Sequence, residues 1–367
     1  MYIIQNDMNR SYLDLANKRT IMSSHFIRWA ILLFALFGAS GAALAQGQAQ
    51  SLPVRIGAIP VLGAAPLFVA EREGWLGAGG LKPTVTLFDS GPNAVQAAAS
   101  GTVDVYVAGI TPVAIGRTRG VDLRVVAATA IGENVLVAGA KLAGPLTDGT
   151  APAAAFRRFR EETGRPAKIA TQPPGSIPYT NLSYWLREVH KVDPADVQIL
   201  TLGIDAAQQA ILAGAVEAAT VREPGLSIIR ERNPQIRLVA SGSELFPGQP
   251  GTVVAVRGAF LEQNPAAVRT LVSAIVRAVD LIKREPERAL PAVEAALGKG
   301  IVTAATLRNA LASPATQYVA DPRTIVAATG AMLAFQTKLG ISEQTPPTEG
   351  LFDSRFFEAA QAEASAR

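Results

Sequence analysis

The sequence predicts an α/β protein of two lobes, each built on a mostly parallel sheet. Strand-like and helix-like runs alternate at lengths suited to crossover connections. One such pattern occurs twice at a constant shift. The chain, at 367 residues, is also long enough for two cores.

The first matching segments are "VRIGAIP" (54–60) and "AKIATQP" (167–173), short apolar strands with a cation second and a proline last. Next come "TVTLFDSGPNAVQAAASGTVDVYVAGITP" (84–112) and "VQILTLGIDAAQQAILAGAVEAATVREP" (197–224). The shift that carries Val54 onto Ala167 also carries Gln96 onto Gln209, Gly101 onto Gly214, Val103 onto Val216 and Asp104 onto Glu217. The closing prolines, Pro112 and Pro224, slip by one residue. Each half reads strand, helix, strand, helix, strand, with its first helix over 65–75 or 178–190. The second helix ends at Ser100-Gly101 or Ala213-Gly214, where glycine supplies a left-handed position past the helix end.

"ENVLVAGAK" (133–141) and "GTVVAVRG" (251–258) are apolar strands flanking the second unit, and they are expected to be the crossings between lobes. Between them lies the Gly/Pro/Thr-rich connection "GPLTDGTAPAAAF" (144–156). After residue 260, Val268, Leu271, Val272, Ile275, Val279 and Ile282 recur at helical spacing, between Pro265 at the start and Pro286 at the stop. These signals divide the chain into lobe 1 (46–138 and 252–340), lobe 2 (139–251) and a tail (341–367) that ends in a short helix, "EAAQAEASAR".

The first 45 residues read differently. "HFIRWAILLFALFGASGAALAQ" sets Arg28 before an apolar run from Trp29 to Phe37, then small residues ending in Ala43-Leu44-Ala45. That is the order of a secretory signal, with cleavage after Ala45 and a periplasmic destination. The apolar run is short for a membrane span, which counts against an uncleaved anchor. Met22 stands just before it, so residues 1–21 read as a misassigned start. The formal net charge is +4, and this leader holds Arg10, Lys18, Arg19 and Arg28 against Asp7 and Asp14. The remaining charge is too small for a nucleic-acid footprint, and no basic stripe is interleaved with aromatics. With no cysteine in the chain, neither a disulfide nor a lipid-attachment thiol is available.

In open α/β sheets, ligands bind beyond the carboxyl ends of the strands. In the first half those positions are Val61 and Leu62, Ser90 and Gly91, and Ile110 and Thr111. In the second they are Gly175, Ser176 and Ile177, then Gly203–Asp205, then Arg222 and Glu223. Ser90/Pro92, Thr111/Pro112 and Ser176/Pro178 each pair a hydroxyl with a proline placed to open a helix. Capping alone accounts for each of them. Three converging on one cleft would also offer free N–H groups and positive helix ends to an anion. Arg222 is the only arginine among these positions, suited either to a carboxylate or sulfonate ligand or to a salt bridge with Glu223. Asn134, beside the first crossing, can donate to a ligand or cap its loop. Trp185 reads as core, and Tyr179 as a residue bordering the cleft.

Catalytic parts are missing from the pattern. The two histidines are His25, in the leader, and His190, near a helix end. There is no G-x-S-x-G, no G-x-G-x-x-G opening the first helix, no P-loop and no H-E-x-x-H. No tight Asp/Glu cluster points to a metal. The expectation is a non-enzyme with no cofactor, no metal and no catalytic residue.

The stretches "RIGAIPVLGAAPLFVAEREGWL", "FDSGPNAVQAAASGTVDVYVAGITPVAIGRTRGVDLRVVAA", "TQPPGSIPYTNLSYWL" and "AAQQAILAGAVEAATVREP" resemble the periplasmic substrate-binding proteins of the aliphatic-sulfonate, taurine and nitrate type. These form the SsuA/NMT1-like family of ABC importers, and the resemblance runs from about residue 53 to about 290. It implies a type II periplasmic binding fold: two lobes, two crossings, and a ligand in a cleft that closes by hinge motion. Family ligand contacts would fall at Val61 and Leu62, Ser90-Gly91, Ile110-Thr111, Gly175-Ser176-Ile177 and Arg222-Glu223. Many relatives carry an aromatic residue before the Glu-Pro pair where this chain has Arg222. With that departure, sulfonate or nitrate specificity does not carry over from the relatives by resemblance alone, and a ligand with a negative group is favoured. The apolar neighbours Val61, Leu62, Ala64 and Ile110 suit a partly hydrophobic one. The implied partner is an inner-membrane ABC permease, served by a monomer. Two alternatives remain open: a sensor that presents ligand to another receptor, and an enzyme of thiamine-pyrimidine synthesis on the same lobes, whose cysteine motif this chain lacks.

Overall fold

Twelve strands organise the described residues. In order they are β1 (Leu52–Ala58), β2 (Leu81–Leu87), β3 (Val105–Gly109), β4 (Leu123–Ala128), β5 (Ala130–Ile131) and β6 (Val135–Ala138), then β7 (Ala167–Thr171), β8 (Val197–Thr201), β9 (Ala218–Val221), β10 (Arg237–Ala240), β11 (Thr252–Arg257) and β12 (Gln317–Tyr318). The computed structural model describes residues 51–298, 300 and 302–365, so the leader read at 1–45 lies outside the described residues.

Two five-stranded sheets result, in the orders β2-β1-β3-β11-β4 and β8-β7-β9-β6-β10. In each, the first three strands are parallel and the fourth is antiparallel to its neighbours. The duplication read from the sequence is therefore a duplication of topology. Helix Gly91–Ala99 of the first lobe matches Ile204–Leu212 of the second, and both end before a left-handed glycine, Gly101 (φ 76°) and Gly214 (φ 68°).

The matched acids explain why the repeat carries an acidic residue at that place. Asp104 accepts the backbone N–H and the guanidinium of Arg55, while its own N–H donates to the Arg55 carbonyl. Glu217 repeats this on Lys168, accepting its N–H at 2.8 Å and donating its own to the Lys168 carbonyl, with Arg165 as the cation. Each acid thus ties the start of a third strand to the first strand of its sheet.

The crossings differ from the expectation. β6 and β11 do not bridge the lobes: β6 pairs with β9 and β10 in the second sheet, and β11 lies between β3 and β4 in the first. The chain passes between lobes just ahead of each strand, through residues 129–134 and 241–251. The second sheet therefore begins at Val135, earlier than the division drawn at 138/139. The tail also joins the first lobe. Phe352 bridges to Val125, and Phe356 and Phe357 enter the core beside helix Pro265–Arg284.

Strands covered on both faces read as continuous apolar runs. In β3, Val105 and Val107 face one core with Val268, Leu271 and Ile275, whereas Tyr106 and Ala108 face the other with Val113 and Leu333. The second sheet alternates likewise, with Leu136 and Ile169 on one side and Val137 and Ala170 on the other. Burying strands and helices this way places the carboxyl ends of β1, β3, β7 and β9 at the seam between lobes.

Candidate functional site

Apart from Gly203 and Ile204, which are half-buried, and Asp205, which is exposed, every position read as a candidate ligand contact is buried, and they lie along that seam. The structure sorts them into a directly packed group and a group beside a cavity.

Ser90, Gly91, Ile110, Thr111, Gly175, Ser176 and Ile177 form the packed group. Ser90 and Ser176 are helix N-caps as expected, accepting the N–H of Asn93 and of Tyr179. Thr111 is not a cap. Gly109 takes the N-cap position of helix Ile110–Thr118, and Thr111 sits in the first turn, where its hydroxyl donates to the Gly175 carbonyl at 2.8 Å. Pro112 was compatible with any position in that turn and so did not fix the cap. Gln336, from helix Val326–Lys338, donates to the same carbonyl at 3.3 Å and to Thr180 Oγ1 at 2.6 Å. Gly175 has a φ of 88°, which suits glycine and turns its carbonyl toward the first lobe. Close approach also explains Gly109 and Gly91: a Cβ at the first would press on Ile177, and at the second on the Tyr106 hydroxyl.

Two more bonds cross the seam directly. Leu62 N–H donates to the Glu223 carbonyl at 2.9 Å, and Ile204 N–H donates to the Asp89 carbonyl at 3.1 Å. The helix beginning at Ile204 therefore gives its first N–H to protein.

Val61 and Arg222 belong to the second group. With Pro60, Gln172, Ile204 and Thr220 they line a cavity of about 150 Å³ between the lobes. Arg222 is 7% exposed. Its Nε donates to Asn134 Oδ1 at 2.8 Å and its Nη2 to Gln172 Oε1 at 3.4 Å, while Nη1 has no acceptor. The salt bridge with Glu223 considered from the sequence is not among the ion pairs of the described residues. Burial pulls the arginine's pKa below its usual value, and the Glu133 carboxylate and the Tyr106 hydroxyl act in the opposite direction.

Asn134 is committed to protein partners. Its backbone N–H and Nδ2 both donate to Gln249 Oε1, at 2.8 and 3.2 Å, and its Oδ1 serves Arg222. Gln249 Nε2 in turn donates to the Asn134 and Gly242 carbonyls. The two crossings are thus stitched together by one buried amide, and a bonded chain Gln249–Asn134–Arg222–Gln172 runs from hinge to cavity. Beside it, Glu133 accepts the Thr252 N–H at 2.6 Å and its hydroxyl at 2.8 Å. Gly63 and Gly251 make room for that carboxylate, since a Cβ at either would overlap it.

Glu223 is fully buried, with Oε2 accepting the Ser227 N–H and Oε1 unpartnered. Burial raises its pKa above the usual carboxylate value. A second cavity of about 390 Å³ lies at the crossings, lined by Gly132, Gly242, Gln249, Leu226 and Ser313 and by none of the candidate ligand contacts.

Sequence reasoning missed Glu133, Gln172, Gln249, Gln336 and Tyr106. Glu133 was adjacent to a named residue. Gln249 lay in a Gly/Pro loop whose partner is distant in the chain, so no local pattern marked it. Trp185 is core as read, and His190 stacks edge-on against it, with ring centres 4.4 Å apart. No group of three or more His, Cys, Asp or Glu able to hold a metal occurs among the described residues.

Two lobes of this topology meeting at a seam define a type II periplasmic binding fold. The chain belongs to the NMT1-like family, whose profile matches residues 47–296. A protein of Brucella abortus (strain 2308) is 25% identical over 246 residues, 66% of this chain and 70% of that protein. Among solved structures, the periplasmic nitrate-binding protein NrtA of Synechocystis PCC 6803 matches with a TM-score of 0.71 at 15% identity, covering 87% of this chain and 90% of that one. The alkanesulfonate-binding protein SsuA of Xanthomonas axonopodis pv. citri, bound to MOPS, matches with a TM-score of 0.66 at 19% identity, covering 82% and 98%. At such identities the structural likeness speaks for the fold.

Proposed function

We propose that this protein is the periplasmic solute-binding component of an ABC importer. It captures a small organic anion (sulfonate-, carboxylate- or nitrate-like) between its lobes as a monomer and delivers it to an inner-membrane permease. The observation that carries the anion is Arg222: a guanidinium stays protonated in proteins, and this one lines an interlobe cavity with one terminal nitrogen lacking an acceptor. A buried cation in that state gains most from a ligand oxygen that arrives with its own charge. The ABC-system relatives on the same fold support the transport role, and the leader read at 1–45 supports export.

A thermal-shift screen of the purified protein against sulfonates, nitrate, carboxylates, pyrimidines and amino acids tests this. A true ligand raises the melting temperature in proportion to its occupancy. Stabilisation by cationic or neutral compounds alone would refute anion capture.

A further inference from the structure

Helix Gly225–Arg232 stands between two cavities. Leu226 and Ile228 are two residues apart, as are Arg230 and Arg232, which sets the members of each pair about 200° apart around the helix. Leu226 and Arg230 line the cavity of about 390 Å³ at the crossings, while Ile228 and Arg232 line the interlobe cavity of about 150 Å³. A second connection runs through side chains. Gln249 lines the larger cavity and begins the bonded chain through Asn134 to Arg222, which lines the smaller one.

The larger cavity has the volume of a small-molecule pocket, more than twice the roughly 150 Å³ that holds a benzene molecule in other proteins. Its wall draws on Gly132 from the first crossing, Gly242 from the second, Leu226 and Leu238 from the second lobe, and Ala315 just ahead of β12. Arg230 is the one charged residue among the described residues that line it. Arg230 and Ser243 are exposed, so the cavity opens to solvent at that edge. Arg230 has no ion-pair partner among the described residues. Glu223 acts on it electrostatically but lines neither cavity.

This shape exists while the seam is bonded. The backbones of Gly132 and Gly242 lie against each other beside the cavity, and the Leu62 N–H reaches the carbonyl of Glu223, which leads into the dividing helix. An occupant that touches both crossings and this helix fits the bonded arrangement better than one in which the lobes have rotated about the crossings. It therefore shifts the population toward the bonded form.

We propose that the cavity at the crossings is a second binding site, for a monocarboxylate with an extended apolar body, and that its occupancy favours closure of the seam. The carboxylate pairs with Arg230 at the open edge, and the body lies against Leu226, Leu238 and Ala315. Control of closure by this route holds for whichever ligand the cleft takes, because it acts on the position of the lobes.

Titration calorimetry of the purified protein with octanoate tests the site, with acetate as the head group alone and 1-octanol as the uncharged body. Octanoate should bind, and the other two should be weaker by about tenfold or more. Arg230→Ala removes the partner of the head group, and Ala315→Phe fills the space of the body. Each should weaken octanoate by about tenfold or more. Thermal melts establish folding, and if Ala315→Phe does not fold, Arg230→Ala, at an exposed position, carries the comparison. Closure is read from hydrogen exchange of the Leu62 and Ile204 amides, which donate two of the seam bonds. Octanoate at a concentration that fills the wild-type site should slow both by about fivefold or more, and should slow them less in Arg230→Ala.

Absence of octanoate binding, or binding that neither variant weakens, refutes the second site. Equal binding of 1-octanol refutes the carboxylate class. Binding that Arg230→Ala weakens, with exchange of both amides unchanged by octanoate, refutes the control of closure. Anion capture in the cleft is decided separately by the thermal-shift screen.

Discussion

The hydroxyl of Thr111 donates to the carbonyl of Gly175 at 2.8 Å, joining the first-lobe helix Ile110–Thr118 to the turn that opens the second-lobe helix Ile177–Tyr184. The same carbonyl also receives Gln336, so one glycine of the second lobe is held by two side chains. The lobes are latched at this point by protein atoms.

Replacing Thr111 by Val keeps the shape and removes the donor. Gly175 retains Gln336, so the cost is that of one hydrogen bond, about 1 kcal/mol. The seam should open more readily. Small-angle scattering of Thr111→Val without ligand is expected to show a larger radius of gyration than wild type, with a slightly lower melting temperature. An unchanged radius would mean that the latch has no part in closure.

Gln249→Leu should be far more damaging. It leaves the Asn134 N–H and Nδ2 without their acceptor in a buried site and frees the Asn134 side chain that orients Arg222. Unsatisfied buried groups of this kind cost about 2–4 kcal/mol together. Denaturant unfolding should show a loss of that order, and affinity for a confirmed ligand should fall in the fraction that remains folded.

The crossings leave no room at Gly242, where a Cβ would overlap the backbone of Gly132. Backbone on backbone cannot yield by rotating a side chain. Gly242→Ala is expected to destabilise by about 2 kcal/mol or more, in the range of other overpacking changes. Thermal melts measure it, and a neutral outcome would show that the crossings are not held in contact.

Glu223 gives a pH signature. Its pKa is raised in the folded protein above the ordinary 4.5, so folding is favoured by the protonated form. That contribution is complete below the ordinary value and is lost as pH rises through the folded one. Glu223→Gln, which can still accept the Ser227 N–H, should therefore be more stable than wild type at pH 8, with the advantage shrinking toward pH 4. Melting curves at both values decide it; an advantage that grows on acidification would reverse the sign.

Much of the fold was legible because the repeat is physical as well as statistical. Asp104 and Glu217 matched in the sequence since each ties two strands of its sheet, and Gly101 and Gly214 matched since each ends a helix in a left-handed turn. The crossings were misplaced for an equally physical reason. β6 and β11 are apolar on both faces, which marks them as buried strands, but nothing local says which sheet they join. Partner choice depends on the whole topology. In the site, Arg222 and the serine caps stood out because their chemistry is local. Thr111 was read as a cap, and its true partner lies in the other lobe. Gln249 went unmarked because its role exists only when residues 134 and 249 meet.

The placement of β11 imposes an order of assembly. All five strands of the second sheet lie between residues 135 and 240, so that sheet can close as soon as this stretch is available. The first sheet cannot: β3 and β4 have no contact in the sheet until β11 enters between them. A chain emerging from its N-terminus thus makes most of its first lobe early yet completes it last. Pulse-labelled hydrogen exchange during refolding should find β7 and β9 protected before β4.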